Sequence, residues 1–323
     1  MTAEREQRDG MTIGFAHVAY QLGEEFASRG RKERIFEVRS LDELEARVGE
    51  ADVLVVSGLW KNWLVERAPR LKFVQSVSAG TDQFSRELFQ QHGIQLASGQ
   101  GVNERAVAEH AMALILSLTR QLHLARDNQT RQVWRGMITD RATREDELAG
   151  KTLLVVGLGR IGTRLARLGR AFGMRVMGIK RHPMPVADVD IVLGHEQIMT
   201  ALADADFVAL TCPLTPETEG MLGGVQLAAM KSSAYLINVA RGRIVDEVAL
   251  LSALRSGGIA GAALDCFHEE PLPSESPLWG LENVIVTPHT AGETRRYEAN
   301  LVDILLKNLE RFGKGAPLIN QII

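Results

Sequence analysis

The sequence predicts an α/β protein built on two parallel sheets. Short apolar runs alternate with polar, helix-compatible segments over residues 12–97, and the same alternation begins afresh after residue 150. A Gly-x-Gly-x-x-Gly turn at residues 157–162 directly follows one of these runs. This pattern is typical of doubly wound parallel sheets, whose strands are buried on both faces and therefore read as continuous apolar runs.

We predict ten strands from these apolar runs, at residues 12–17, 53–57, 73–77, 94–97, 153–157, 176–179, 207–210, 235–239, 261–264 and 284–287. Two longer stretches have apolar residues at helical spacing. The first, residues 104–131, is predicted to be one helix that connects two domains, and the second covers residues 294–312.

The glycine-rich turn predicts a dinucleotide site. Gly157 suits a tight turn, Gly159 lets the backbone approach a pyrophosphate, and Gly162 allows close packing of helix on strand. Arg160 and Ile161 then lie at a helix N-terminus, where free N–H groups favour phosphate. A purely structural glycine turn is the alternative, but the preceding strand and the following helical periodicity favour the nucleotide.

The next predicted strand ends at Lys180 and Arg181 instead of at the acid expected about twenty residues after the glycine motif. A carboxylate there would bind the ribose 2′-hydroxyl, whereas two cations would attract a 2′-phosphate. We therefore predict NADP(H) in preference to NAD(H). The alternative is that both side chains are solvated charges after a strand.

The composition of the chain argues against several classes of protein. The chain of 323 residues is long enough for two domains, and its net charge of −3 makes no case for a nucleic-acid partner. The apolar runs have flanks too polar for membrane spans, and the charged N-terminal residues 1–10 predict no signal peptide. The two cysteines, Cys212 and Cys266, lie in apolar contexts that predict buried thiols and no metal site. We expect a cytoplasmic protein.

Five further segments carry a resemblance. They are SVSAGTD at 76–82, LTCPLTPET at 210–218, LINVARG at 236–242, ALDCFHEEPL at 263–272 and VTPHTAG at 286–292. In this order, with the glycine motif, they resemble the D-2-hydroxyacid dehydrogenase family, the D-isomer-specific NAD(P)-dependent group. The resemblance implies two Rossmann-like or flavodoxin-like domains with the active site in the cleft between them. Residues 1–101 plus 290–323 would form the substrate-binding domain, residues 102–289 the NAD(P)-binding Rossmann domain, and the protein would be a homodimer.

Reduction of a 2-keto acid requires a cation for the carboxylate, a hydride donor and an acid for the carbonyl oxygen. Arg241 suits the first task because its planar fork grips a carboxylate with two hydrogen bonds. His289 suits the acid because imidazole changes charge nearest neutral pH. Glu270 is expected to pair with His289 and favour its protonated form. Glu269 and His268 are the competing residues, but in the family the catalytic acid directly precedes the proline that Pro271 matches here.

The resemblance also implies the remaining contacts. With Arg241 and His289, the further cofactor residues are Thr211, Cys212, Pro213, Thr218, Val239, Ala240, Asp265 and Gly292. Asp265 would bind the nicotinamide carboxamide and modulate the histidine, with a helix N-cap as its alternative. Ala79 and Gly80 would offer backbone N–H groups to the substrate carboxylate. Trp60 is hypothesised to wall the substrate pocket, and packing within its own domain is the alternative.

Two function classes remain open at this point. The expected one is a 2-keto acid reductase similar to glyoxylate/hydroxypyruvate reductases, using NADPH. The other is a nucleotide-sensing corepressor on the same scaffold, since fold alone does not fix function. Formate dehydrogenases of this family have Gln at the position of Glu270, so Glu270 argues against that activity.

Overall fold

A computed structural model of the chain describes residues 10–323. The charged segment 1–9, and the expectation placed on it, lie outside the described residues. The chain folds into two compact units. Unit 1 runs to Asn103 and resumes from Thr294 to Ile323, and unit 2 is Glu104–Glu293. Each unit contains one wholly parallel sheet, which confirms the predicted α/β class.

Unit 1 has a sheet of five strands in the order β2-β1-β3-β4-β5. These are β1 Thr12–Ala16, β2 Arg34–Val38, β3 Val53–Val56, β4 Phe73–Ser76 and β5 Gln95–Ala97. Four of them match predicted strands to within one residue at either end. β2, at one edge of the sheet, was missing from the prediction.

The helices of unit 1 cover both faces of its sheet. They are α1 Leu22–Ser28, α2 Leu41–Arg47, α3 Arg86–Gln91 and, after unit 2, the long C-terminal helix Tyr297–Gly313. Alternate residues of β3 face opposite cores: Leu54 packs with the cluster that contains Leu44 and Phe89, and Val55 with the cluster that contains Leu301. Double-sided burial explains why these strands are apolar throughout.

Unit 2 has a sheet of seven strands in the order β12-β11-β10-β9-β6-β7-β8. These are β6 Thr152–Val156, β7 Arg175–Ile179, β8 Ile191–Leu193, β9 Phe207–Leu210, β10 Tyr235–Asn238, β11 Gly261–Leu264 and β12 Val284–Val286. The strand order reverses between β6 and β9, and such a switch point is where open α/β sheets bind ligands.

The helices of unit 2 are α4 Glu104–Thr119, α5 Leu122–Thr130, α6 Arg160–Ala171, α7 Ile198–Asp204, α8 Gly224–Ala229 and α9 Glu247–Ser256. The C-terminal helix of unit 1 is therefore α10. The single helix predicted over residues 104–131 is wrong, because the chain breaks into α4 and α5 at Gln121, whose φ is 51°. Among residues 10–323, no helix is both long and apolar enough to span a bilayer.

Candidate active site

Five neighbouring strands of unit 2 bring the predicted functional residues to one edge of the sheet. The strands β12, β11, β10, β9 and β6 lie side by side in that order. Because all pairs are parallel, the loops that leave their carboxyl ends share one edge. These loops contain the glycine motif and the segments around Cys212, Arg241, Asp265 and His289.

Two of the three motif glycines are fixed by packing inside the protein. Gly157 has a φ of 105°, and a Cβ there would lie 2.6 Å from the backbone nitrogen of Cys212. A Cβ at Gly162 would lie 2.2 Å from the carbonyl oxygen of Gly157. Any larger residue at either position would force backbone atoms apart.

Gly159 differs from the other two, since a Cβ there would meet no atom within 4 Å. Gly159 is the N-cap residue of α6. Because it has no side chain, open space lies directly beside the start of this twelve-residue helix. Arg160 and Ile161 follow in the first turn. An open cradle at a helix N-terminus fits the pyrophosphate of a dinucleotide, whose negative charge the free N–H groups favour.

The cationic pair lies just beyond β7. Lys180 is half-buried and its backbone N–H donates to Leu193 O at 3.0 Å, whereas Arg181 is exposed. The pKa of the Glu217 carboxyl is lowered, chiefly by its hydrogen bond with Thr215 and to a smaller extent by the charge of Arg181. Arg181 therefore lies within electrostatic reach of the loop that follows β9.

That loop is held by its own hydroxyl groups. Thr211 Oγ1 donates to Gly157 O at 2.8 Å, which ties the loop to the glycine turn. Thr218 Oγ1 donates to Pro213 O at 2.7 Å, so this predicted cofactor residue shapes the loop. Burial raises the pKa of the Cys212 thiol to about 11, so Cys212 is uncharged at neutral pH.

Hydrogen bonds of Asn238 hold the loop after β10, which carries Arg241. Asn238, only 1% exposed, donates to Arg241 O at 3.0 Å and accepts from the Ala240 N–H at 3.1 Å. The guanidinium itself donates to Ala240 O at 2.7 Å through Nη1. A Cβ at Gly242 would lie 2.0 Å from the carbonyl carbon of Phe267, so glycine is required where this loop meets the one after β11.

Glu270 and His289 form a hydrogen-bonded pair. Glu270 Oε2 lies 2.7 Å from His289 Nδ1, and its other oxygen accepts from the Phe267 N–H at 2.9 Å. The side chains of His289 and Glu270 are 46% and 36% exposed, so the imidazole is open to a reactant. The competitor His268 instead contacts Val245 O through Nε2, at 2.9 Å. Thus Glu270 makes the expected contact with His289, while the catalytic assignment of both residues remains a prediction.

Asp265 anchors the loop that carries His289. Its carboxylate, in a residue 2% exposed, accepts from the backbone N–H groups of Thr290 at 3.0 Å and Ala291 at 2.9 Å, and from the Thr287 hydroxyl at 2.6 Å. No α-helix begins within the ten residues after Asp265, so the N-cap alternative is wrong. Its predicted contact with a carboxamide stays a prediction.

The remaining predicted cofactor residues lie in these same loops. Val239 and Ala240 precede Arg241, and Gly292 follows Ala291.

In unit 1, the candidate substrate loop follows β4. The Ser78 N–H donates to Ser57 Oγ at 2.9 Å, and the Ser78 hydroxyl donates to Gly80 O at 2.8 Å. Ser57 also shares a 3.0 Å hydrogen bond with the buried Ser76. Hydroxyl groups therefore fix the backbone that leads into Ala79 and Gly80.

The hypothesis that Trp60 walls the substrate pocket is wrong, because the Trp60 side chain is buried. Trp60 is 2% exposed and belongs to the core of unit 1, where its ring packs on Phe84 and Phe89 at centroid distances of 5.8 and 5.4 Å. Its Nε1 donates to Asn62 Oδ1 at 3.1 Å. A loop tryptophan whose ring and N–H are both satisfied within its domain is a packing residue.

Four residues that shape the site were missed by sequence reasoning: Ser57, His110, Asn238 and Thr287. Asn238 and Thr287 stand inside the quoted motifs, and a polar residue closing an apolar strand was the available signal. His110 Nε2 lies 3.1 Å from Thr287 Oγ1, across 177 residues of chain. Nothing in its local pattern distinguishes it from another polar residue of α4.

The comparisons with known proteins agree with this geometry. Residues 112–291 match the model of the D-isomer specific 2-hydroxyacid dehydrogenase NAD binding domain. A glyoxylate reductase of Aeropyrum pernix is 37% identical over 259 residues, 78% of this chain and 76% of that protein. A glyoxylate/hydroxypyruvate reductase B of Yersinia pestis is 38% identical over 270 residues, 83% and 82% of the two chains.

Among solved structures, a D-isomer specific 2-hydroxyacid dehydrogenase family protein of Aeromonas salmonicida has a TM-score of 0.86 at 30% identity and covers 97% of this chain and 99% of its own. The family-model match and the seven-stranded parallel sheet of unit 2 define an oxidoreductase with an NAD(P)-binding Rossmann domain. This chain belongs to the D-isomer specific 2-hydroxyacid dehydrogenase family.

Proposed function

We propose that this protein reduces the C2 carbonyl of a small 2-keto acid, such as glyoxylate or hydroxypyruvate, with NADPH as the preferred donor. The observation that carries the proposal is the Glu270–His289 pair, exposed at the carboxyl edge of a sheet that also carries Arg241. The reductase names of the relatives from Aeropyrum pernix and Yersinia pestis support the substrate class.

Each residue has one task in the proposed reaction. Arg241 binds the substrate carboxylate through its fork and polarises the carbonyl. His289 donates its proton to the carbonyl oxygen as charge develops there, and in the reverse direction removes it. Glu270 holds the imidazole through Nδ1, so Nε2 is the nitrogen that faces the substrate. The bound nicotinamide supplies the hydride.

The two units divide the binding tasks. Unit 2 binds the nucleotide, with the pyrophosphate in the cradle beside Gly159 and the adenine ribose 2′-phosphate at Lys180 and Arg181. Unit 1 offers the backbone N–H groups of Ala79 and Gly80 to the substrate carboxylate. Two buried free cysteines are consistent with a cytoplasmic location.

We further propose a homodimer. None of the residues of α5, Leu122–Thr130, is buried, and the segment that follows exposes Trp134 by 98% and Met137 by 99%. Large apolar side chains at full exposure mark a surface that another protein covers. Light scattering after size exclusion is expected to give twice the mass of 35.5 kDa, and a monomer at micromolar concentration would refute the proposal.

The first experiment measures initial rates of NADPH and NADH oxidation with glyoxylate, hydroxypyruvate, pyruvate and bulkier 2-keto acids. Turnover that favours NADPH is expected, and Lys180→Asp should lower NADPH use more than NADH use. An unchanged cofactor ratio in that variant would remove Lys180 from the 2′-phosphate site. Tight NADPH binding without turnover of any keto acid would favour the nucleotide-sensing alternative.

A further inference from the structure

We infer that Thr287 and His110 are positioning residues for His289, acting through the buried carboxylate of Asp265. The inference rests on the proposed role of His289 as the acid. It assigns a task to α4, a helix that contributes none of the predicted catalytic residues.

The three side chains form one chain of contacts inside unit 2. His110 Nε2 lies 3.1 Å from Thr287 Oγ1, and Thr287 Oγ1 lies 2.6 Å from Asp265 Oδ1. His110 Nε2 is also 3.7 Å from the same carboxylate oxygen. Asp265 is 2% exposed and the His110 side chain 24%. The contacts therefore lie in a largely dry region, where hydrogen bonds resist competition from water.

The direction of donation follows from the chemistry of the groups. An ionised carboxylate only accepts, so the hydroxyl proton of Thr287 points to Asp265. The lone pairs of the same hydroxyl are then left to accept the N–H of His110 Nε2. This order assigns the proton of His110 to Nε2, and it orients Asp265 Oδ1 between the Thr287 hydroxyl and the Thr290 N–H.

Asp265 in turn fixes the backbone on the C-terminal side of His289. Its two oxygens hold the Thr290 and Ala291 N–H groups, while the His289 N–H donates to Thr287 O at 3.0 Å. His289 itself has a φ of 54°, a conformation that few non-glycine residues adopt unless their surroundings impose it. Thr287 is thus connected to both sides of the residue that carries the imidazole.

The ring and the backbone of His289 are restrained by different residues. Glu270 restrains the ring through Nδ1, and the Asp265–Thr287–His110 chain restrains the backbone from which the ring projects. Reaction rates respond steeply to small misplacements of the reacting groups. Loss of the Thr287 hydroxyl should therefore lower kcat more than it alters KM or nucleotide binding.

The experiment compares Thr287→Val, which removes the hydroxyl but keeps the size of the side chain, with Thr287→Ser, which keeps the hydroxyl and removes the methyl group. Thr287→Val is expected to lower kcat on the order of tenfold to a hundredfold, with the NADPH Kd within about twofold of the wild type. Thr287→Ser should restore most of the turnover. His110→Gln keeps an N–H donor at the distance of Nε2 and should also retain activity, whereas His110→Leu should not.

The same Thr→Val substitution at a buried threonine of α4 is the control. Thr119 is 4% exposed and its hydroxyl donates to Ile115 O at 2.7 Å, so Thr119→Val removes a buried hydroxyl with no connection to His289. It should leave kcat unchanged.

A second measurement separates this inference from the proposed function. Side-chain ¹⁵N NMR of the histidines, with the His289 signal assigned from His289→Asn, reports the imidazole without any substrate. The signal should shift in Thr287→Val and remain in place in Thr287→Ser. An unmoved signal together with wild-type kcat in Thr287→Val would overturn the inference. A wild-type enzyme inactive on every keto acid would instead defeat the proposed function, while the NMR result would still decide whether Thr287 positions His289.

Discussion

The two units have the same kind of parallel sheet, yet the loops at their carboxyl edges are held by different chemistry. In unit 2 the loops after β11 and β12 are tied by carboxylates, Asp265 to the backbone of Thr290 and Ala291, and Glu270 to His289. In unit 1 the loop after β4 is held by the neutral hydroxyls of Ser57 and Ser78. The same kind of sheet thus supports loops of different charge, so function has to be inferred from the loops and not from the sheet.

The contrast also fits the proposed reaction. In the proposed reaction, charged groups of unit 2 hold and move a proton, and fixed cations there bind anions. Unit 1 is proposed to offer only backbone N–H groups to a carboxylate, and neutral hydroxyls can hold that backbone without adding a negative charge that would repel the substrate. Substitutions in the two sets of loops should therefore have different effects, on proton transfer as well as binding in unit 2 and on substrate binding alone in unit 1.

The largest effect is expected at the charged edge of unit 2. Replacing Arg241 by Gln should lower kcat/KM for a keto acid by roughly a hundredfold or more, since charged hydrogen bonds contribute about 1.5–3 kcal/mol each. Arg241→Lys keeps the charge but loses the fork, so it should recover only part of the loss. Steady-state kinetics with NADPH measures both variants. Equal activity of Arg241→Gln and wild type would show that the substrate carboxylate is bound elsewhere.

A smaller but global effect is expected at Gly242. Ala at this position places a Cβ against the Phe267 backbone, and overpacking of this kind costs about 3 kcal/mol of unfolding free energy. Gly224→Ala is the control, because its Cβ would have only Ala249 Cβ nearby, at 3.9 Å. Urea denaturation compares the two. If both variants unfold at the wild-type midpoint, the close approach of the two loops is not a constraint on the fold.

Part of the fold and of the candidate site was predictable from the sequence alone. The tight packing of Gly157 and Gly162 and the contact of Glu270 with His289 were predictable, because each residue stands in a motif with a known structural context. The edge strand β2 was missed because it mixes polar with apolar residues, as Arg34 and Glu37 show, and β8 was missed because it is only three residues long, Ile191–Leu193. The break at Gln121 and the burial of Trp60 depend on tertiary packing, which local patterns do not encode.

In unit 1, loss of the Ser57 hydroxyl should weaken substrate binding without affecting the nucleotide. Ser57→Ala removes hydrogen bonds to Ser76 and Ser78, and about 1 kcal/mol of lost orientation corresponds to a KM for the keto acid raised about fivefold. Ser28→Ala, at an exposed hydroxyl of α1, is the control. An unchanged KM in Ser57→Ala would mean that the loop after β4 does not bind the substrate carboxylate.

The smallest effect concerns the pH dependence of unit 1. His17 Nδ1 accepts the N–H groups of Ala19 and Tyr20 at 3.1 and 2.9 Å, and burial, with a smaller effect of Arg39, lowers the pKa of this imidazole below 6.5. A lowered pKa stabilises the fold above pH 6.5, and that contribution is lost as pH falls through the folded-state value. His17→Asn keeps an acceptor and does not titrate, so its unfolding free energy should fall less between pH 7 and pH 5. Parallel curves for the two proteins would refute the assignment.

The kcat/KM of His289→Asn tests whether His289 is the acid of a 2-keto acid reductase. Asn keeps an N–H for Glu270 and tolerates a positive φ, so the loop is preserved while the titratable group is removed. Reduction of glyoxylate and hydroxypyruvate by NADPH should fall on the order of 10²–10⁴-fold, with NADPH binding unchanged. Turnover within about threefold of wild type would show that His289 is not the acid.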